Sequence, residues 1–323
     1  MEAGALDEAR VTGFRRTRHL LDRIGDGALF WVTAAAAFLA LFVIALIIWK
    51  VIQGSWLAIR HFGIGFVWHS TWNPVTDVYG AREYIIGTIV ASVGAMVIAA
   101  PLAIAIGLFL TELAPQTVRA IVGPLVEMLA AVPSVVIGLW GILVLGPFMR
   151  AHIEPALHDG LGWIPIFGGQ VSQSGMLIAI VVLALMALPI ISSIVRELFL
   201  SVPQDVKEAS VGLGATRWEM VRTVVVPYVK GGVLAGIILG LGRALGEAIA
   251  VTQVIGNTVP IRLSLFHPGN TLASQIASNY QGAGTNLEVA SLVYLALILL
   301  VITFVSNLIA QRIVHRFELQ KTR

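Results

Sequence analysis

Cysteine is missing from all 323 residues. With no thiol there is no disulfide frame, no thiolate metal site and no cysteine nucleophile. Charge is scarce as well, with Asp, Glu, Lys and Arg together only 12% of the chain. A soluble domain carries roughly 25% charged residues, so the water-facing surface here is small. No lysine follows a glycine: Lys50, Lys207, Lys230 and Lys321 follow Trp49, Val206, Val229 and Gln320. That excludes a phosphate-binding loop ending in Gly-Lys, and any nucleotide energy must come from another chain. A Gly-x-Ser-x-Gly elbow and a paired Asp-His frame are also lacking, so hydrolase chemistry has no support. Seven histidines are scattered, and His152 and His158, near Glu154 and Asp159, do not make an i, i+4 metal pair. The net charge of +3 comes from dispersed residues, unlike a nucleic-acid footprint.

Apolar residues are abundant, at 57% of the chain with a mean hydropathy of +0.88. They fall into long stretches at Ala28–Trp49, Ile85–Leu110, Pro124–Phe148, Met176–Ile194, Pro227–Ile255 and Ala290–Ile309. At 1.5 Å per residue each covers a hydrocarbon core of about 30 Å. The pattern predicts an all-α integral membrane protein with six transmembrane helices. The first stretch is too long for a signal-peptide core and is read as an uncleaved span at 28–49, after a tail at 1–27.

An even number of spans puts both ends on one side, and the basic residues say which. One side collects Arg10, Arg15, Arg16, Arg18, Arg23, Arg119, Arg196, Lys207, Arg217, Arg222, Arg312, Arg316, Lys321 and Arg323. The other has Lys50, Arg60, Arg82, Arg150 and Arg262. Both ends are therefore expected in the cytoplasm. Trp56, Trp68, Trp72 and Trp163, in or near the longer outer loops, suit an interfacial aromatic belt.

The inner loop between the fourth and fifth spans (197–223) is the most informative segment. Pro203 and Asp205 open a short helix, and Gly212 and Gly214 end it. Thr216 and Glu219 have capping-box spacing, so a second helix starts at once, and Pro227 then opens the fifth span. The prediction is a stiff helical knob suited to docking in a partner's groove. Glu208-Ala209-Ser210, Gly214 and Val224-x-Val226-Pro227 resemble the "EAA" loop of ABC-importer permeases. That resemblance implies docking of an ATPase subunit, with Ser210 standing where the pattern has Ala.

The fifth span carries Gly232, Gly236 and Gly240 at four-residue spacing, followed by Arg243 and Glu247. Small residues in that rhythm let a neighbouring backbone come close. If Lys230 marks the inner interface, Arg243 lies about 20 Å deeper, near mid-membrane. A charge there costs at least ~2.5–3.5 kcal/mol on insertion scales, so it should face protein or water. Arg243 and Glu247, four apart on one helix face, can serve in two ways. They can handle an oxyanion, since a guanidinium fork matches phosphate or sulfate oxygens. They can also neutralise one another and pin helix packing. A carboxylate can accept from the hydroxyl of hydrogenphosphate, a group that sulfate lacks.

Gly-Leu-Gly-Arg-Ala-Leu-Gly-Glu (240–247) and Ile255-Gly-Asn-Thr258 resemble the PstC-type permease subunits of bacterial high-affinity phosphate importers. So do Ile-Gly-Thr (86–88), Phe109-Leu-Thr-Glu-Leu-Ala-Pro115 and Ala131-Val-Pro-Ser-Val-Val-Ile-Gly138. The similarity runs from about residue 84 to the C-terminus. It implies a type I ABC-importer permease core (MetI-like) at 84–313, an extra N-terminal span and a tail at 314–323. By resemblance, Arg243 and Glu247 take part in phosphate translocation. The implied partners are a second homologous permease, two ATPase subunits and an extracytoplasmic phosphate-binding protein in the bacterial inner membrane. No cofactor is expected on this chain, and ATP-Mg belongs to the partner ATPase.

Fainter candidates flank these. Glu127, Pro133 and Ser134 can line the pathway, since a Pro at membrane depth frees carbonyls that must face protein or a cavity; they can equally form a plain kink. Asn257 and Thr258 suit an outer gate, or a turn. The competing functions are a permease for sulfate or molybdate and, in another class, an ion-coupled secondary transporter. The latter predicts inverted repeats, which the sequence does not display.

Overall fold

A computed structural model describes the backbone of residues 2–169, 172–259 and 264–319, and the side chains of 26–169, 172–259 and 264–314. Arg10, Arg15, Arg16, Arg18, Arg23, Arg262, Arg316, Lys321 and Arg323, used above to orient the chain, lie outside the described side chains. Contacts divide the chain into two units, residues up to Gln53 and residues from Gly54 on. Apart from an isolated bridge between Asn73 and Val78, the regular structure among the described residues is helical.

Helix α1 is Glu2–Phe62. In the first unit its apolar side chains are exposed all round, Trp31 at 72% and Phe38 at 71%. Such a helix has no polar face to give to water and suits lipid. It continues past the expected end at Trp49, because nothing between Lys50 and Phe62 breaks a helix.

The second unit contains α2 (Arg82–Leu113), α4 (Ser134–Leu161), α5 (Met176–Leu200), α7 (Arg217–Gly246) and α10 (Asn286–Leu319). Each is long and apolar enough to cross a bilayer, as is the stretch Asp26–Val67. Shorter helices are α3 (Gln116–Ala131), α6 (Gln204–Gly212), α8 (Ile249–Val254) and α9 (Leu272–Asn279). The central helix is α5, packed against both α2 and α7. Ala91, Ala95, Ala99 and Ala103 line the buried face of α2 at four-residue spacing, so the backbones approach closely.

Two expected spans differ. The third, expected at Pro124–Phe148, breaks at Val132 and Pro133, both extended with ψ of 127° and 138°. Pro133 has no N–H to give a helix and pushes Val132 out of the helical region. The crossing helix is therefore α4, which starts at Ser134 and runs well past Phe148. The fifth, expected at Pro227–Ile255, leaves the helix at Glu247 (φ −72°, ψ 118°) and resumes as α8. At its other end it begins earlier: α7 runs unbroken from Arg217, with Pro227 inside it, through a wide turn at Val221–Val225.

At the end of the bundle opposite the α5–α7 loop, an aromatic cluster gathers Phe62, Phe66, Trp72, Tyr79, Tyr84 and Tyr294. Trp72, expected in an interfacial belt, instead packs on Tyr79 and Tyr84 at ring separations of 4.7 and 5.6 Å. Trp68 and Trp163 are exposed at 74% and 81% and fit the belt. Tyr79 donates to Asp77 at 3.0 Å, and Thr285 donates to the same carboxylate at 3.1 Å, clasping the 63–81 segment to the entry of α10. Burial, with Asp77 beside it, pushes the Tyr79 phenol up to about 12.

Candidate translocation site and docking loop

The α5–α7 loop folds as its residues predict. Helix α6 ends at Gly212, and Gly214 takes a left-handed φ of +90° that turns the chain. The Thr216 hydroxyl accepts from the Glu219 N–H at 3.3 Å while the Glu219 carboxylate accepts from the Thr216 N–H at 2.8 Å. This closes the expected capping box. Glu208 and Ala209 face outward and Ser210 is half-buried. Leu213 and Trp218 are exposed at 90% and 67%, and Val211 also stands open. Three apolar side chains thus stand open on the outer surface of this loop.

The pairing of Lys207 escaped the reading from sequence, which counted the lysine only among the basic residues that set the orientation. Its ammonium donates to the Glu112 carboxylate at 2.6 Å and to the Phe199 carbonyl at 3.3 Å, with both ionic side chains almost buried. Beside this pair a cleft of about 580 Å³ opens between α6, the end of α2 and the start of α7.

On α7 the glycines divide between two faces. A methyl added at Gly232, Gly236 or Gly240 would meet Leu198, Ile194 or Ile191 of α5 at 2.7, 3.1 and 2.6 Å, so this stripe is the α5 contact. Gly242 and Gly246 meet nothing within 4 Å. Arg243 lies on that open side, exposed and with no hydrogen bond or ion pair among the described residues. Arg243 thus lies off the glycine stripe. Glu247 is the residue at which the chain leaves the helix: its φ of −72° is still helical, and its ψ of 118° turns the following residues away. The half-buried Glu247 carboxylate turns to the Ala250 N–H at 3.3 Å, holding the first turn of α8. Gly246, the last helical residue, is the one sequence signal for that break.

The two interrupted segments meet. Gly138 of α4 comes so close to α8 that a methyl there would meet the Ala250 Cα at 2.8 Å, and one at Gly141 would meet Val254 at 2.8 Å. Contacts one turn apart in the same order mean that α4 and α8 run parallel. Ser134, half-buried at the start of α4, therefore lies on the side of this contact toward Glu247. Glu127 does not join them. It lies on α3, before the break, and accepts from Arg196 of α5 at 2.7 Å. Asn257, beyond α8, has a left-handed φ of 49°. Its amide donates to the Thr252 carbonyl at 2.9 Å, and its oxygen accepts from the buried Ser274 hydroxyl at 2.7 Å. The Thr258 N–H donates to the Gly269 carbonyl at 3.0 Å, and its side chain is exposed. The Thr88 hydroxyl on α2 accepts from the Leu272 N–H at 2.9 Å, so α9 is tied to both α2 and the exit of α8.

Helices that cross a bilayer, an arginine without a partner among the described residues just before the break at Glu247, and an outward-facing loop fit a membrane permease. The family of binding-protein-dependent transport system inner membrane components matches residues 99–319. The chain belongs to that family, within its PstC-type group. It is 43% identical over 293 residues to the phosphate transport system permease protein PstC of Pasteurella multocida, covering 88% of this chain and 91% of that one. It is 42% identical to the protein of the same name from Mesorhizobium japonicum, covering 91% of each. Coverage of that extent reaches further toward the N-terminus than the expected start near residue 84. Among solved structures, a bacterial alginate ABC transporter chain superposes with a TM-score of 0.58 at 16% identity, over 88% of this chain and 95% of that one. A chain of the inward-facing MetNI methionine ABC transporter gives 0.52 at 21% identity, over 74% and 94%. Both likenesses concern the fold.

Proposed function

We propose that this chain is the transmembrane, channel-forming subunit of an ATP-driven importer of inorganic phosphate in a bacterial inner membrane. The observation that carries the reading is the 42–43% identity, across about nine-tenths of each chain, to permeases named for phosphate transport. The geometry supports it, because an arginine without an internal partner beside an open glycine face suits a transient polyanion. One copy of an ATPase docks on α6 and the start of α7, with Glu208, Ala209, Ser210 and Gly214 at the contact and ATP-Mg on the ATPase, and a second copy docks on the homologous permease. Pro227, inside α7 just beyond the wide turn, completes the coupling segment. A homologous permease completes the pathway facing Arg243, and an extracytoplasmic binding protein delivers phosphate to the opposite end. The loop end and both termini are cytoplasmic.

Within the path, Arg243 grips the anion through its fork of donors. Glu247 holds the helix break open and accepts from the hydroxyl of hydrogenphosphate. Ser134 lines the adjoining wall, Glu127 steadies the inner approach through Arg196, and Asn257 with Thr258 forms the outer gate. ATP-driven closure of the ATPase dimer draws the loops together and tilts the spans outward, and hydrolysis resets them. The test is labelled uptake in vesicles holding the whole complex, with phosphate and sulfate compared in the parent and in Glu247→Gln. Parent vesicles that take up phosphate, together with a variant whose preference over sulfate narrows, support the reading. A parent that prefers sulfate overturns it.

A further inference from the structure

We infer that Lys207 and Glu112 form the strut that carries movement of the docking helix into the membrane spans, a positioning pair and not a ligand site. The inference rests on the reading that α6 docks an ATPase. Three helix ends meet on one ammonium: Lys207 belongs to α6, Glu112 to the last turn of α2, and the Phe199 carbonyl to the last turn of α5. Among the described residues these are the side-chain hydrogen bonds that tie α6 to the spans. The cleft of about 580 Å³ beside them leaves α6 incompletely seated on the bundle by apolar packing. The ion pair is nearly buried, its side chains 9% and 11% exposed, so it is poorly screened and its geometry is held. The ammonium also sits at the carbonyl end of α5, where the helix dipole favours a cation.

The strut lands on the two helices that matter for the site. Helices α2 and α5 form the most extensive packing in the bundle. Helix α5 in turn seats the Gly232, Gly236 and Gly240 stripe of α7 against Leu198, Ile194 and Ile191. Displacing α6 therefore moves α5, and α5 carries α7 and Arg243 with it. A contiguous route of this kind proves coupling only when breaking it uncouples the two ends.

The experiment uses the complete complex in proteoliposomes, with Lys207→Met, Glu112→Gln and the exchange Lys207→Glu/Glu112→Lys. Copurification of the ATPase, ATP hydrolysis and phosphate uptake are read on each. The expectation is that both single variants keep the ATPase bound and hydrolysing, while phosphate moved per ATP falls at least about tenfold. The exchange restores the ratio at least in part. If loss of one buried partner prevents assembly of the single variants, recovery of assembly and coupling by the exchange alone decides for the strut. Single variants whose ratio stays within about twofold of the parent, or an exchange that restores nothing, overturn it. A parent complex from which the ATPase never copurifies would refute the docking reading itself, a separate outcome.

Discussion

The charged side chains fall into two groups by their partners. Lys207 with Glu112 and Arg196 with Glu127 are satisfied internally, whereas Arg243 is not. Exposure ranks the two pairs. Arg196 and Glu127 are 29% and 54% exposed, so solvent screens them and the pair contributes about 1 kcal/mol or less. Glu127→Gln should leave thermal stability in detergent within a few degrees of the parent and phosphate uptake within about twofold. A drop of an order of magnitude would give Glu127 a direct part in transport. At Asn257 the amide is exposed while its partner, the Ser274 hydroxyl, belongs to a buried residue, so losing this hydrogen bond costs about 0.5–1.5 kcal/mol. Ser274→Ala should therefore lower the melting temperature, and Asn257→Ala should do so further, because Asn tolerates the left-handed φ of 49° better than Ala. Equal melting temperatures for parent and variants would contradict the latch.

Much of the helix pattern was legible, because a bilayer demands long apolar runs and punishes every charge within them. The capping box at Thr216 and Glu219 and the left-handed Gly214 were legible too, since local hydrogen bonding decides them. The two interruptions were not. Pro133 was noticed as a kink but not as the start of a crossing helix, and the departure at Glu247 has only Gly246 to announce it. The partner of the Gly232, Gly236 and Gly240 stripe was also hidden, because spacing tells which face is smooth and not which helix lies on it. That division gives a test within one helix. Gly240→Leu must displace Ile191, overpacking that costs about 1–3 kcal/mol. Gly242→Ala meets nothing and gains up to about 1 kcal/mol of helix propensity. Thermal unfolding in detergent should fall for the first and hold or rise for the second. The opposite order would mean that α7 packs through its other face.

At the scale of the whole protein, the account needs a sidedness and an outside motor. The absence of cysteine makes the first accessible, because one introduced thiol reports alone. Val75 and Leu213 are 92% and 90% exposed at opposite ends of the bundle. A membrane-impermeant maleimide added to spheroplasts should label Val75→Cys and spare Leu213→Cys until the membrane is opened. The reverse labelling would invert the topology and remove the docking loop from any cytoplasmic ATPase.

The central claim is that a separate ATPase moves phosphate past Arg243. The most direct measurement is ATP hydrolysis and labelled phosphate uptake together, in proteoliposomes holding the whole complex, for the parent and for Arg243→Ala. The account predicts uptake by the parent only with ATP, and an assembled, hydrolysing variant whose uptake falls at least about a hundredfold, some 2.7 kcal/mol of lost anion stabilisation. Parent-level uptake by Arg243→Ala, or uptake by the parent without ATP, would contradict it.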